Sequence, residues 1–217
     1  MAGKPAVPGA FHCLLPVSGI VILAFMKMNL ISQLLMLVFL VALATVTGAE
    51  VEKIATPNQK GLGFVWWPKL PAIDGWKQDS EASWHFGTNA LAPVGATFSN
   101  AETVMYAKAL FKSRIPDAKT LVEFIARDKA DILKQSPNTM VDPAANLTTA
   151  DRRSAITVEY LPKGAGNWER VAYLEEGEFY LVFTISSRTQ NGFEANMAAF
   201  ERLISQYREK PVAVPPK

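Results

Sequence analysis

The chain has 217 residues, with 22 lysines and arginines against 20 aspartates and glutamates, and a single cysteine. Residues 1–49 hold Lys4 and Lys27 and no acid, so the remainder is formally neutral, which removes the electrostatic drive toward nucleic acid or an anionic membrane. Cys13 lies ahead of the segment that reads as globular, which excludes an internal disulfide or a thiolate metal site there; about 160 residues are enough for one domain with its own core.

In chain order, the first feature is an uncharged apolar run over residues 30–47, preceded by Lys27 and followed by Thr47-Gly48-Ala49 and then Glu50 and Glu52. A positive flank, an apolar stretch and small residues at the exit predict a bacterial signal peptide over 26–49, cleaved after Ala49. Met26 and Met28 are tidier starts than Met1, so residues 1–25 read as an over-extended N-terminus. The expected location is periplasmic or secreted, with no membrane contact after cleavage. The alternative is an uncleaved N-terminal segment that anchors the domain. Two spans are not expected, because residues 14–25 contain Pro16 and fall short of the ~20 residues a span needs.

Residues 50–62 read as a flexible leader, 63–208 as a single α+β domain, and 209–217 as a proline-rich disordered tail. Phe64-Val65-Trp66-Trp67 predicts a short aromatic strand stopped by Pro68 and Pro71, with a turn at Gly75-Trp76. Ser83-Trp84-His85-Phe86 predicts a second strand. Residues 103–111 are mostly apolar on both alternating faces, which predicts a central strand covered on two sides. Thr120-Leu121-Val122-Glu123 has the spacing of a capping box and opens a helix that stops at Ser136-Pro137. Its buried stripe reads as Leu121, Phe124, Ile125, Ile132 and Leu133, with Arg127, Asp128, Lys129, Asp131 and Lys134 on the wet face.

A loop through Asp142-Pro143 leads to three strands, about 154–161, 168–174 and 179–186, separated by hairpin turns at 163–167 and 175–178. Asn191 is expected to cap a last helix that buries Phe193, Met197, Phe200, Leu203 or Ile204, and Tyr207. The predicted architecture is an antiparallel β-sheet flanked by helices, an α/β/α sandwich.

Phe64-Val65-Trp66-Trp67-Pro68 leading to Gly75-Trp76, the strand before the Thr120 helix, the meander, and the terminal helix ending Phe200-Glu201-Arg202-Leu203-Ile204-Ser205 together resemble the PsbP-like fold. That fold is shared by extrinsic photosystem II subunits, a Ran-binding nuclear-import factor and small exported bacterial proteins. The resemblance implies a binding or assembly role and transfers no site residue.

Candidate chemistry is sparse. His85 is the sole histidine after the signal, near Asp79 and Glu81; as a general base it would take Ser80, Ser83 or Ser99 as nucleophile, and as an ordinary strand residue it would do nothing. One histidine with scattered carboxylates shows no metal-ligand spacing, and neither Gly61-Leu62-Gly63 nor Gly164-Ala165-Gly166 forms a phosphate loop, so no metal and no cofactor are expected. Trp66, Trp67, Trp76 and Trp84 crowd into a short stretch, with Trp168 apart; two or three of them exposed would make a stacking platform for glycan, peptidoglycan or an apolar partner surface, and buried, they supply core. Asp151-Arg152-Arg153 and Glu175-Glu176-Gly177-Glu178 read as solvated turns. The expected role is a non-catalytic binding or assembly module of the bacterial cell envelope, with an envelope protein or a small ligand as partner. A glycan-binding domain and a small His85 hydrolase are the alternatives.

Overall fold

A computed structural model describes residues 51–58 and 61–209. The expected signal peptide, the segment before it and residues 210–217 of the tail lie outside the described residues.

Residues 50–62 are not all leader: β1 (Val51–Asn58) and β2 (Gly61–Pro68) pair antiparallel from Val51 opposite Pro68 to Asn58 opposite Gly61. Ile54 and the β-branched and aromatic residues of 64–67 supply strand propensity at the paired end. After a turn come β3 (Trp76–Gln78), α1 (Ser80–Phe86), β4 (Asn89–Pro93) and β5 (Thr103–Phe111), then a single 3-10 turn and α2 (Leu121–Gln135). The chain continues through β6 (Thr139–Thr148), β7 (Ser154–Pro162), β8 (Trp168–Glu176), β9 (Phe179–Ser187) and α3 (Gln190–Gln206). Seven strands form one antiparallel sheet in the order β3-β4-β5-β9-β8-β7-β6.

The fold is therefore α+β, with helices on both faces of an antiparallel sheet. The meander is one strand longer than expected, because the stretch through Asp142-Pro143 is edge strand β6 and not a loop. Pro143 is tolerated there since an edge strand has one side free of ladder bonds, and the register slips by a bulge between Ala144 and Leu147. Ser83 to Phe86 is helical, not extended. Asp79 caps α1 by accepting from the Ala82 amide at 3.0 Å, and Gly87, at φ +63°, ends it in the left-handed conformation.

α3 lies on one face, over Met105, Ala107, Ala109, Ala172, Leu181, Phe183 and Ile185, and contributes Phe193, Phe200, Leu203 and Ile204. The alanines of the sheet let the helix come close. Gly192 sits where the approach is tightest, since a Cβ there would lie 2.6 Å from Ser187 Oγ and 2.8 Å from Thr103 Oγ1. Thr189, and not Asn191, caps this helix, accepting from the Gly192 amide at 3.0 Å.

α2 lies on the other face, where Phe124 and Ile125 meet Val158, Tyr160, Val171, Tyr173, Tyr180 and Val182. Phe124 stacks on Tyr180 with centroids 4.6 Å apart. The capping box forms as the sequence predicts: Thr120 Oγ1 accepts from the Glu123 amide at 3.2 Å and Glu123 accepts from the Thr120 amide at 3.1 Å. Thr120→Ala removes one of these bonds and is expected to lower stability by about 1 kcal/mol, read as a lower urea midpoint at an unchanged slope.

Candidate functional site

The expected hydrolase residues are not brought together. Asp79 is committed to backbone, accepting from the amides of Ala82 at 3.0 Å and Phe98 at 2.8 Å, and these bonds hold its carboxyl below the usual range. The Ser83 hydroxyl donates to the Asp79 carbonyl at 2.7 Å and accepts from the Ala90 amide at 3.0 Å, so it ties α1 to β4. His85 is exposed on α1, its ring edge against Phe86, and lines none of the described cavities. Neither Ser80, which opens α1, nor Ser99 lines any of these cavities, and no hydrogen bond joins either hydroxyl to His85 among the described residues.

Nor do the four tryptophans share one exposed surface. Trp67 is buried, while Trp66 is half-buried between Phe111, at 6.0 Å, and the Arg114 guanidinium, 4.4 Å from its ring. Neighbours on a strand point to opposite faces, which accounts for the different fates of that pair. Trp76 and Trp168 pack against the α3 side of the core. Trp84 alone of the five is largely open, at 52% exposure.

A different set of residues converges on the opposite face. α2 covers the sheet only in part, and β5 shows this directly: Thr103, Met105, Ala107 and Ala109 are buried, whereas Val104, Tyr106, Lys108 and Leu110 are half-buried. The strand is central, as expected, but only one of its faces is fully covered. In the uncovered part, the ladder sets Tyr106 opposite Thr184, Lys108 opposite Val182, Ser186 opposite Glu169, and Glu169 opposite Tyr160. The result is a polar patch at the middle of a sheet whose other face carries Met105, Ala107, Ala172, Phe183 and Ile185 at the same level.

Three cavities open onto this patch. The largest, about 780 Å³, runs between β2 and the second half of α2 over Tyr106, Lys108, Thr184, Asp128 and Glu169. One of about 350 Å³ reaches toward Phe86 and Phe98, and one of about 490 Å³ toward Gln135 and Gly166. Glu169 lines all three.

Glu169 Oε1 accepts from Ser186 Oγ at 2.7 Å, and Asn167 Nδ2 donates to that serine at 3.1 Å. Among the described residues the carboxylate has no second donor and forms no ion pair, although Lys108 lies on the same face. Burial raises its pKa, the nearby Asp128 charge adds to the rise, and Ser186 and Lys108 work against it. The Tyr160 and Tyr173 hydroxyls are 3.0 Å apart, and Tyr173 donates to Asp128 Oδ2 at 2.7 Å, which turns Asp128 inward from the wet face expected of it. Burial pushes Tyr160 up to about 12 and raises Tyr106 and Tyr173 as well, so all three phenols stay protonated donors at neutral pH. The patch presents hydroxyls, one incompletely partnered carboxylate and aromatic walls, an arrangement suited to holding a ligand.

Sequence reasoning missed Tyr106, Lys108, Glu169, Thr184 and Ser186. The signal was present in β9, where Tyr180 and Val182 give way to Thr184 and Ser186 on one face while Leu181, Phe183 and Ile185 stay apolar on the other. Among the described residues no group of three histidines, cysteines or acids is placed to hold a metal ion.

No protein-family model matches the chain, and no curated protein does. Among solved structures it is similar to a Pseudomonas aeruginosa protein of unknown function, PA94, at 13% identity and a TM-score of 0.42, over 74% of this chain and 99% of that one. A likeness of that order carries no functional argument.

Proposed function

We propose that this chain is an exported, non-catalytic binding module of the bacterial cell envelope, of PsbP-like architecture, and that its binding surface is the groove on the face α2 leaves open. The observation that carries this reading is the convergence of three cavities on Glu169, a half-buried carboxylate with a free oxygen and no ion-pair partner among the described residues. Burying part of a carboxylate without a cation costs stability, so its presence on a core-facing strand fits a group kept for a ligand. The apolar residues 30–47 and the small-residue exit at Ala49 support export.

The test is native mass spectrometry of the protein recovered from the envelope fraction of its host, beside Asn167→Trp. Asn167 is exposed at the junction of two of the cavities, so an indole there blocks the groove without entering the core. The expected result is a mass starting at Glu50 with a bound species that the variant has lost. Recovery only from the cytoplasm, or a bound species that the variant retains, overturns the proposal.

A further inference from the structure

We infer that the aromatic end of the groove is a site for an organic cation carrying a quaternary or alkylated ammonium group, an assignment that rests on the groove being the binding surface. The pocket of about 350 Å³ is walled by Phe86, Phe98 and Tyr106. Phe86 and Phe98 have centroids 5.7 Å apart at 43°, and Phe98 and Tyr106 are 6.1 Å apart at 70°. Rings tilted in this way bound a concave corner. A sugar needs a flat face to stack on, whereas an ammonium group is attracted to a ring face from any direction within about 6 Å.

Charge points the same way. Glu102 and Glu169 line this pocket against one base, Arg188. Arg188 Nη2 donates to the neutral Ser99 carbonyl at 2.7 Å, and Glu102 accepts from the Thr189 hydroxyl at 2.8 Å. Glu169 keeps one oxygen without a donor among the described residues and lines the same pocket as the aromatic corner. With Arg188 offsetting one of the two carboxylates, the lining keeps a net negative charge that opposes an anion, and a neutral ligand leaves Glu169 with only the Lys108 charge on the same face. An alkylated ammonium group answers the charge and covers the rings.

The corner is also built, which explains an otherwise costly feature. Phe86, 59% exposed, ends α1 immediately before Gly87, whose backbone passes so close to β2 that a Cβ there would lie 3.0 Å from Val65 Cγ1. That close approach fixes the end of α1 and holds Phe86 at the pocket mouth. Cation binding favours the ionised carboxylate and so competes with protonation of Glu169. Asp128 on α2 opposes its ionisation, Lys108 on β5 favours it, and the facing phenols of Tyr106 and Tyr160 remain neutral. Affinity for a cation therefore falls as pH drops through the raised Glu169 value.

Isothermal titration of the full chain in a non-ionic detergent, with choline and with its uncharged isostere 3,3-dimethylbutan-1-ol, tests the assignment. Choline is expected to bind about tenfold or more tightly than the isostere, and more weakly at pH 4.5 than at pH 7.5. Glu169→Gln keeps an acceptor for Ser186 and is expected to abolish the preference, while Phe98→Leu weakens choline by about tenfold. Equal affinity for the two probes, unchanged choline binding by Glu169→Gln, or no choline binding overturns the assignment. If choline fails while Asn167→Trp still strips a bound species from the recovered protein, the cation is wrong and the binding surface stands; if both fail, the groove reading falls with it.

Discussion

Phe183→Ala is expected to lower the free energy of unfolding by about 3–5 kcal/mol, the largest single loss anticipated in this domain. Phe183 is fully buried on β9 at the middle of the sheet, and its ring meets Tyr207 edge-on at 4.9 Å. Its cross-strand neighbours are Ala107 on one side and Ala172 on the other. Alanines have no rotamer with which to fill a void, so the space left by the ring persists and the cost lies toward the upper end of that range. The measurement is a urea denaturation of the purified variant at pH 7, with a Tm about 10 °C lower as the thermal counterpart. A loss below about 1 kcal/mol would show that α3 settles onto the sheet and that the layer is less tightly determined than its packing implies.

Local chemistry explains which parts of this architecture were legible in the sequence. The capping box at Thr120 and Glu123 depends on residues three apart, and the hairpin between β8 and β9 turns on Gly177 at φ +51°, so both are written in a few adjacent residues. β6 was hidden because Pro143 and a bulge disguise an edge strand as a loop. α1 was hidden because Trp84 and Phe86 have strand propensity, which Asp79 and Gly87 override from the two ends. Asp128 belongs to the buried stripe by spacing, four residues after Phe124 and four before Ile132, and was placed outside it only because it is charged. Its partner Tyr173 is 45 residues away, and no window along the chain shows that contact.

The same limit governed the site. Glu169 reads as one polar residue of a half-exposed strand. Its meaning comes from Ser186 across the ladder and from the point where α2 stops covering the sheet. The charged turns show the limit most clearly. Asp151-Arg152-Arg153 and Glu175-Glu176-Gly177-Glu178 read as two separate solvated clusters, but Arg153 donates to the Glu175 carbonyl at 3.1 Å and lies 3.7 Å from Glu176 Oε2. Glu175, Gly177 and Glu178 are exposed as expected of a solvated turn, but Glu176 is 8% exposed, a buried carboxylate closed over by the end of α3.

That burial has a consequence for pH. Glu176 Oε2 accepts from the Tyr207 hydroxyl at 2.7 Å, while Arg153, shared with Asp151 and Glu209, stands farther off. Burial raises the Glu176 pKa, and the bond from Tyr207 and the charge of Arg153 only partly oppose the rise. A carboxyl whose folded pKa exceeds its unfolded value contributes most to stability at low pH, where both states are protonated, and the contribution is lost as pH rises through the folded value. Tyr207→Phe removes the donor that best satisfies the ionised form, so the pKa moves further up and the penalty falls on the charged state. The expected loss is about 1–3 kcal/mol at pH 7.5, shrinking toward pH 4 as the protonated carboxyl no longer needs the donor. Urea midpoints of Tyr207→Phe and the parent at the two pH values measure this. Equal losses at both would mean that the hydroxyl serves the packing of Phe183 and α3 and not the charge of Glu176. A loss confined to the higher pH would identify Glu176 as the carboxylate that the end of α3 holds in place, since the two proteins differ by a single hydroxyl.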